Sequence, residues 1–270
     1  GLASGALPLM SVAGKAASFE GFLASLNHLP PGIIAKLNSN ENPYGPSEFV
    51  RKAITNAFDK ACRYTFPDTG AVVEKVAAKE GVNPDQVLLT VGSTEGLKIT
   101  ALALRLFEGE VIAPAPTFDA LMVYAEAMGG YVNRVPVLDN AELSLDLDEM
   151  ERRVTANTRL VFVCNPNNPT GSILPAARLR DFCESVSKRT VVFSDEAYFD
   201  YITEPGYPSM VELVKKNANV IVSRTFSKVY GMAGMRIGYL IARPDLIRRL
   251  KAVQIDQPNM LALHAANAAL

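Results

Sequence analysis

Alternation between two kinds of segment constrains this chain more than any other feature. Short apolar runs at 87–91, 110–113, 131–137, 160–164, 190–194, 220–224 and 237–242 are separated by stretches of helical period. The helical stretches lie near 47–62, 71–79, 94–106, 118–128, 147–154, 175–187 and 244–253. Several of the runs are apolar on both faces, so each must be covered twice. Helices on both sides of a mostly parallel sheet provide that cover. The expected fold class is α/β. In such sheets ligands gather beyond the carboxyl ends of the strands, so the residues that follow each run carry the functional reading.

Composition narrows the classes of function. Hydrophobic residues make up 49% of the 270, enough for a real core in one large domain or two small ones. Lys and Arg number 27 against 28 Asp and Glu, a net charge of −1, so the basic excess that phosphate-backbone binding needs is missing. No nucleic-acid partner is expected. The only histidines, His28 and His264, stand at opposite ends of the chain. That argues against a histidine-rich metal site and against a Ser–His or Cys–His catalytic pair. Cys62, Cys164 and Cys183 are too scattered for a disulfide framework and read as ordinary buried or half-buried thiols. No HExxH, GxSxG, Walker A or GxGxxG string occurs, and no apolar run approaches the ~18 residues of a membrane span.

The two ends read differently from the middle. Residues 1–18 are rich in Ala, Gly, Leu and Ser with one charge, which suits the apolar and cleavage regions of an export signal. A disordered or partly helical extension is the equal alternative. At the other end, the text stops at Leu270 inside an Ala-rich helical pattern with no Gly or Pro to close it, which reads as a truncated chain. Residues 1–30 are thus expected to be an extension, 31–255 the main body, and 256–270 the start of a further region.

Five post-strand segments stand out. Gly92-Ser93-Thr94-Glu95 precedes a helix, where free N–H groups make an anion site; a plain helix cap is the bland alternative. Pro114-Ala115-Pro116-Thr117-Phe118 is a rigid turn ending in an aromatic ring, which could stack on a flat cofactor or fill the core. Asn165-Pro166-Asn167-Asn168-Pro169-Thr170-Gly171 holds amide side chains on a stiff backbone, suited to hydrogen-bonding a ligand. In Asp195-Glu196-Ala197-Tyr198, an acid ends a buried strand and must be paired, face a ligand or cap a helix. Finally, Thr225-Phe226-Ser227-Lys228 carries a lysine at the ligand edge, either solvated or poised as nucleophile and base, with Arg236 eight residues on as a phosphate clamp.

Taken in order, with Asn40-Glu41-Asn42-Pro43-Tyr44-Gly45 upstream, these strings resemble the fold-type-I pyridoxal-phosphate (PLP) aminotransferases, most closely the histidinol-phosphate branch. The likeness covers about residues 36–255. It implies a large domain built on a mostly parallel mixed sheet, with PLP as cofactor. Lys228 would bind the cofactor covalently and then move the substrate proton, and Asp195 would sit against the pyridine nitrogen. Asn168 and Tyr198 would bond the phenolic oxygen, and Phe118 would stack on the ring. Ser93, Thr94, Thr225, Ser227 and Arg236 would hold the phosphate. Tyr44 would reach the phosphate of a neighbouring subunit, so a homodimer is implied.

The expected substrates are an amino acid, glutamate first, and a 2-oxo acid or histidinol-phosphate-type ketone. Decarboxylases and carbon–sulfur lyases of the same fold, or a PLP-binding fragment inactive without its C-terminal domain, are the alternatives. Family members continue into a small domain whose arginine grips the substrate carboxylate, and no residue after Lys228 matches it. The family is cytoplasmic, which sits oddly with an export signal.

Overall fold

The structure, a computed structural model, describes residues 37–65 and 69–270. The possible export segment and His28 therefore lie outside the described residues. The chain divides into two compact units, Gly1–Asn40 and Glu41–Leu270. All elements named below belong to the second.

All seven expected strands form: β1 (Val87–Thr90), β2 (Glu110–Ala115), β3 (Tyr131–Pro136), β4 (Thr158–Cys164), β5 (Val191–Asp195), β6 (Val220–Thr225) and β7 (Gly238–Ile241). They make one sheet in the order β1-β7-β6-β5-β4-β2-β3. β7 runs antiparallel to β1 and β6, and the other pairs are parallel. The mostly parallel mixed sheet of the expectation is therefore present.

Nine helices accompany it among the described residues: α1 (Glu48–Thr55), α2 (Thr69–Glu80), α3 (Gly92–Ala103), α4 (Ala120–Ala127), α5 (Leu147–Arg152), α6 (Ala176–Val186), α7 (Val211–Lys215), α8 (Pro244–Lys251) and α9 (Met260–Ala269). The pleat sends alternate residues to opposite faces. Phe162, Phe193, Ile221 and Leu240 meet α3, α4 and α8 on one face, called the front. Val163, Val192, Val222 and Ile241 meet α2, α6, α7 and α9 on the rear. Phe162 and Phe193 stack at 5.8 Å in the front core, fully buried.

Four expectations change. The helix expected over 47–62 stops at Thr55, and a single 3-10 turn at Phe58–Lys60 follows. Only Val50 of α1 is buried, so no apolar stripe carries the helix through Asn56. The short α7 was missed because five residues show no period. Cys62 is exposed rather than half-buried, while Cys164 and Cys183 are buried as expected. Finally, α3 begins at Gly92 with Val91 as its cap and no side-chain capping bond, so Ser93 and Thr94 lie in its first turn and cap nothing.

Candidate active site

The site is assembled at the carboxyl ends of the central strands, on the front face. Asp195 closes β5, 2% exposed, in register with Cys164 on β4 and Ser223 on β6. Its Oδ1 accepts the Ala197 N–H at 3.1 Å. Burial pushes its carboxyl up to about 6; the Ala197 bond and Lys228 pull it down, and Glu196 pushes it further up. The helix-cap alternative for Asp195 fails, because the chain turns into a 3-10 segment at Phe199–Tyr201 whose cap position is Tyr198, with no side-chain capping bond.

Lys228 follows β6 and is half-buried, its ammonium 5.4 Å from the Tyr198 ring centre. Burial lowers its pKa, Glu41 and Asp195 raise it, and Arg236 lowers it again, with a net downward shift. This is not the solvated surface lysine that was the alternative. The Asn42–Gly45 strip packs on the loop after it. Asn42 Nδ2 donates to the Val229 carbonyl at 3.0 Å, and a Cβ on Gly231 (φ +67) would overlap the Gly45 carbonyl.

The anion seat lies beside the lysine. Gly92 opens α3 at φ +73, and a Cβ there would overlap the Arg236 guanidinium. Glycine is thus what lets the arginine lie against the helix N-terminus. Arg236 Nη1 donates to the Ala233 carbonyl at 2.9 Å and reaches Ser227 Oγ at 3.5 Å. Ser227 Oγ is also 2.9 Å from Thr225 Oγ1, which accepts the Ser227 N–H at 3.1 Å. Gly238 admits the Ser93 amide, since its Cβ would sit 3.0 Å from that nitrogen. The structure thus brings Ser93, Thr225, Ser227 and Arg236 together. Glu95, to which sequence reasoning assigned no role, supports them. Its Oε2 accepts the Val91 N–H at 2.6 Å and Gln254 Nε2 at 3.2 Å, leaving the first-turn amides uncapped. Burial raises the Glu95 pKa.

The three-asparagine string divides. Asn165 donates to the Tyr207 hydroxyl and accepts the Leu174 N–H, both at 2.9 Å. Asn167 donates to the Pro116 carbonyl and to Thr170 Oγ1 and accepts Thr117 Oγ1 at 2.7 Å. Those two amides are spent within the protein, which leaves Asn168 as the member of the string with an amide to offer a ligand. The Asn168 side chain makes no hydrogen bond among the described residues and is half-buried. Phe118 is half-buried against the front core, so stacking and packing both stay open to it. Tyr44 is 90% exposed and His264 lies 3.5 Å from Lys60. Neither joins this group.

Buried hydroxyls complete the front face. Thr90 Oγ1 and Ser223 Oγ make no hydrogen bond among the described residues, although both are fully buried. By pleat parity Ser223 projects to the same face as Asp195, its register partner. Buried polar groups are nearly always satisfied, so each of these hydroxyls has capacity for a further polar partner. No cluster of three metal-ligating side chains occurs among the described residues, and no described helix is long and apolar enough to cross a membrane.

A seven-stranded α/β sheet that gathers a depressed lysine, a buried aspartate and an arginine-backed helix N-terminus at one edge has the fold of the type-I PLP-dependent aminotransferases. The chain belongs to the class I and II aminotransferase family, whose model matches residues 33–269. It is 42% identical over 239 residues to a histidinol-phosphate aminotransferase of Moorella thermoacetica, covering 88% of this chain and 61% of that protein. A second histidinol-phosphate aminotransferase, from Carboxydothermus hydrogenoformans, is 42% identical over 241 residues, covering 88% and 65%. The chain thus spans less than two thirds of these curated relatives. Among solved structures, the Sinorhizobium meliloti histidinol-phosphate aminotransferase in complex with pyridoxal-5'-phosphate superposes with a TM-score of 0.83 at 26% identity, covering 98% of this chain and 71% of that one.

Proposed function

We propose that this chain is the cofactor-binding body of a PLP-dependent aminotransferase acting between an amino acid, glutamate first, and a histidinol-phosphate-type ketone or 2-oxo acid. Residues 31–255 form that body and 256–270 begin the C-terminal region. The observation that carries the reading is the shared front edge of Lys228, Asp195 and the Arg236-backed helix start. The residues fit PLP: the uncapped α3 amides and Arg236 suit its phosphate, and the buried Asp195 suits a protonated ring nitrogen.

When bound, PLP supplies an electron-accepting ring that stabilises negative charge at the substrate α-carbon. Lys228 Nζ would hold the cofactor covalently and, as a free amine, would carry the proton from the substrate α-carbon to the cofactor carbon that receives the amino group. Its lowered pKa keeps a share of the amine neutral for both tasks. Asp195 holds a proton on the ring nitrogen by charge-assisted hydrogen bonding. Asn168 and Tyr198 orient the ring through its phenolic oxygen, and Phe118 covers it. Ser93, Thr94, Thr225, Ser227 and Arg236 fix the phosphate.

The working unit in this reading is a homodimer, with Tyr44 reaching the partner's phosphate seat. Its 90% exposure leaves it available for that contact, and Tyr64, 89% exposed, offers a second tyrosine to compare.

The test is the visible spectrum of the chain with PLP before and after an amino-acid panel. A band that needs Lys228 and converts with one amino acid to the pyridoxamine form establishes amino-group transfer and names the donor. A folded chain with no such band overturns the reading.

A further inference from the structure

Directly behind Asp195, the rear face holds a charge cluster that the proposed chemistry does not use. Arg224, on β6 and 4% exposed, is surrounded by carboxylates from three places. Glu196 Oε2 accepts its Nε at 2.9 Å and lies 2.8 Å from its Nη2, while Glu80 of α2 and Asp200 each stand at 4.0 Å. The Phe199 ring lies 4.0 Å from the guanidinium carbon. Glu196 also accepts Ser209 Oγ and the Met210 N–H, both at 2.7 Å. Behind them, Glu80 accepts the Tyr239 hydroxyl at 2.7 Å, and Lys79 stands 4.0 Å from Asp200.

Stability alone does not explain such a pair, because apolar side chains of similar volume commonly hold a core as well or better. Its place in the chain does. Asp195 and Glu196 are consecutive and both buried, and the Glu196 charge raises the pKa of Asp195. The Glu196 carboxylate is drawn to the rear and Asp195 keeps the front. On the next strand, Ser223 and Arg224 divide in the same way.

We propose that Arg224 is a positioning residue for Asp195: it draws the Glu196 carboxylate behind the sheet and offsets part of its charge there, leaving Asp195 as the single anionic group on the front of the strand end. This rests on the PLP reading, since Asp195 needs its charge only toward a cationic ring. Burial lowers the Arg224 pKa, but Glu196 and Glu80 outweigh it and hold the guanidinium charged throughout. The charged groups bearing on Asp195 are Glu196 and Lys228, with the Cys164 thiol kept neutral by burial and the Ser223 hydroxyl uncharged. Glu80 and Asp200 stand against Arg224, each at 4.0 Å.

The experiment is PLP affinity of the whole chain across pH, followed by the Lys228-dependent visible band. In the wild type, affinity falls as pH drops through about 6, where Asp195 takes a proton. Asp195→Asn lacks that acid limb and so identifies it. Glu196→Gln leaves Arg224 uncancelled and moves the limb down by roughly one pH unit; Arg224→Met leaves Glu196 bare and moves it up by a similar amount. Arg224→Lys stays near the wild type. A purely structural role lowers affinity at every pH and leaves the limb in place, and that result in folded Glu196→Gln overturns the proposal. Should Arg224→Met fail to fold, Glu196→Gln still decides, because Arg224 keeps Glu80 and Asp200 as neighbours. A wild-type chain with no Lys228-dependent band overturns the PLP reading itself, a result separate from an unmoved limb.

Discussion

The two faces of the sheet's carboxyl edge treat polar groups in opposite ways. On the rear, Arg224, Glu196, Glu80 and Tyr239 are interlocked, and Glu196 alone accepts from four different residues. On the front, Thr90 and Ser223 carry buried hydroxyls without partners, Asn168 has an unspent amide, and Asp195 and Lys228 are pushed away from their charged forms. The same strands supply both sets, one residue apart. The rear is complete as a piece of protein and the front is not, which is the physical mark of a binding face. The asparagine loop repeats the contrast on a smaller scale, with two amides spent inward and one left over.

The comparison breaks most severely at the lysine. Lys228→Ala is expected to abolish the PLP-dependent visible band and amino-group transfer while the melting temperature stays within a few degrees, as spectroscopy and calorimetry on one sample would show. Asp195→Asn comes next. The native Asp195 carboxyl titrates near 6 against 3.8 in the unfolded chain, so the native state holds the extra proton between those values. Wild-type stability without cofactor therefore falls as pH rises from about 4 to about 6, by about 3 kcal/mol in all. The variant escapes that loss: it should outlast the wild type in denaturant at pH 7.5, match it at pH 4, and bind PLP far more weakly.

Gly92→Ala sharpens the anion seat. Its methyl must displace Arg236 at a backbone angle that disfavours side chains, so PLP affinity should drop roughly 10- to 100-fold, the worth of one charged hydrogen bond. The smallest effects separate the asparagines. Asn165→Ala strips partners from the Tyr207 hydroxyl and the Leu174 amide and should cost about 1–3 kcal/mol with the band position unchanged. Asn168→Ala should leave stability within about 0.5 kcal/mol and shift the band instead. Urea titrations paired with spectra distinguish the two, and equal behaviour would erase the proposed division of the loop.

Much of this was legible in the sequence. All seven strands show, several of them because their runs are apolar on both faces, and Lys228, Asp195 and Arg236 show because each ends or follows a strand in a distinctive string. What stayed hidden depends on register and pleat. Nothing in the text of the chain says that Ser223 shares a face with Asp195 while Arg224 turns to Glu196, since that requires β5 and β6 side by side. Nor does the asparagine run reveal which amides are consumed, because partners such as Tyr207 and Pro116 are distant in sequence. The α3 start was displaced by two residues because Gly92 enters the helix at positive φ, where a capping Ser or Thr was the natural expectation.

The central claim is that the front face exists to hold PLP on Lys228. Borohydride reduction of the PLP-treated chain, followed by peptide mass mapping, tests it most directly. A phosphopyridoxyl mass is expected on the peptide bearing Lys228, lost in Asp195→Asn and Gly92→Ala at limiting PLP. Label spread over exposed lysines such as Lys52 and Lys60, or absent from Lys228, would contradict it.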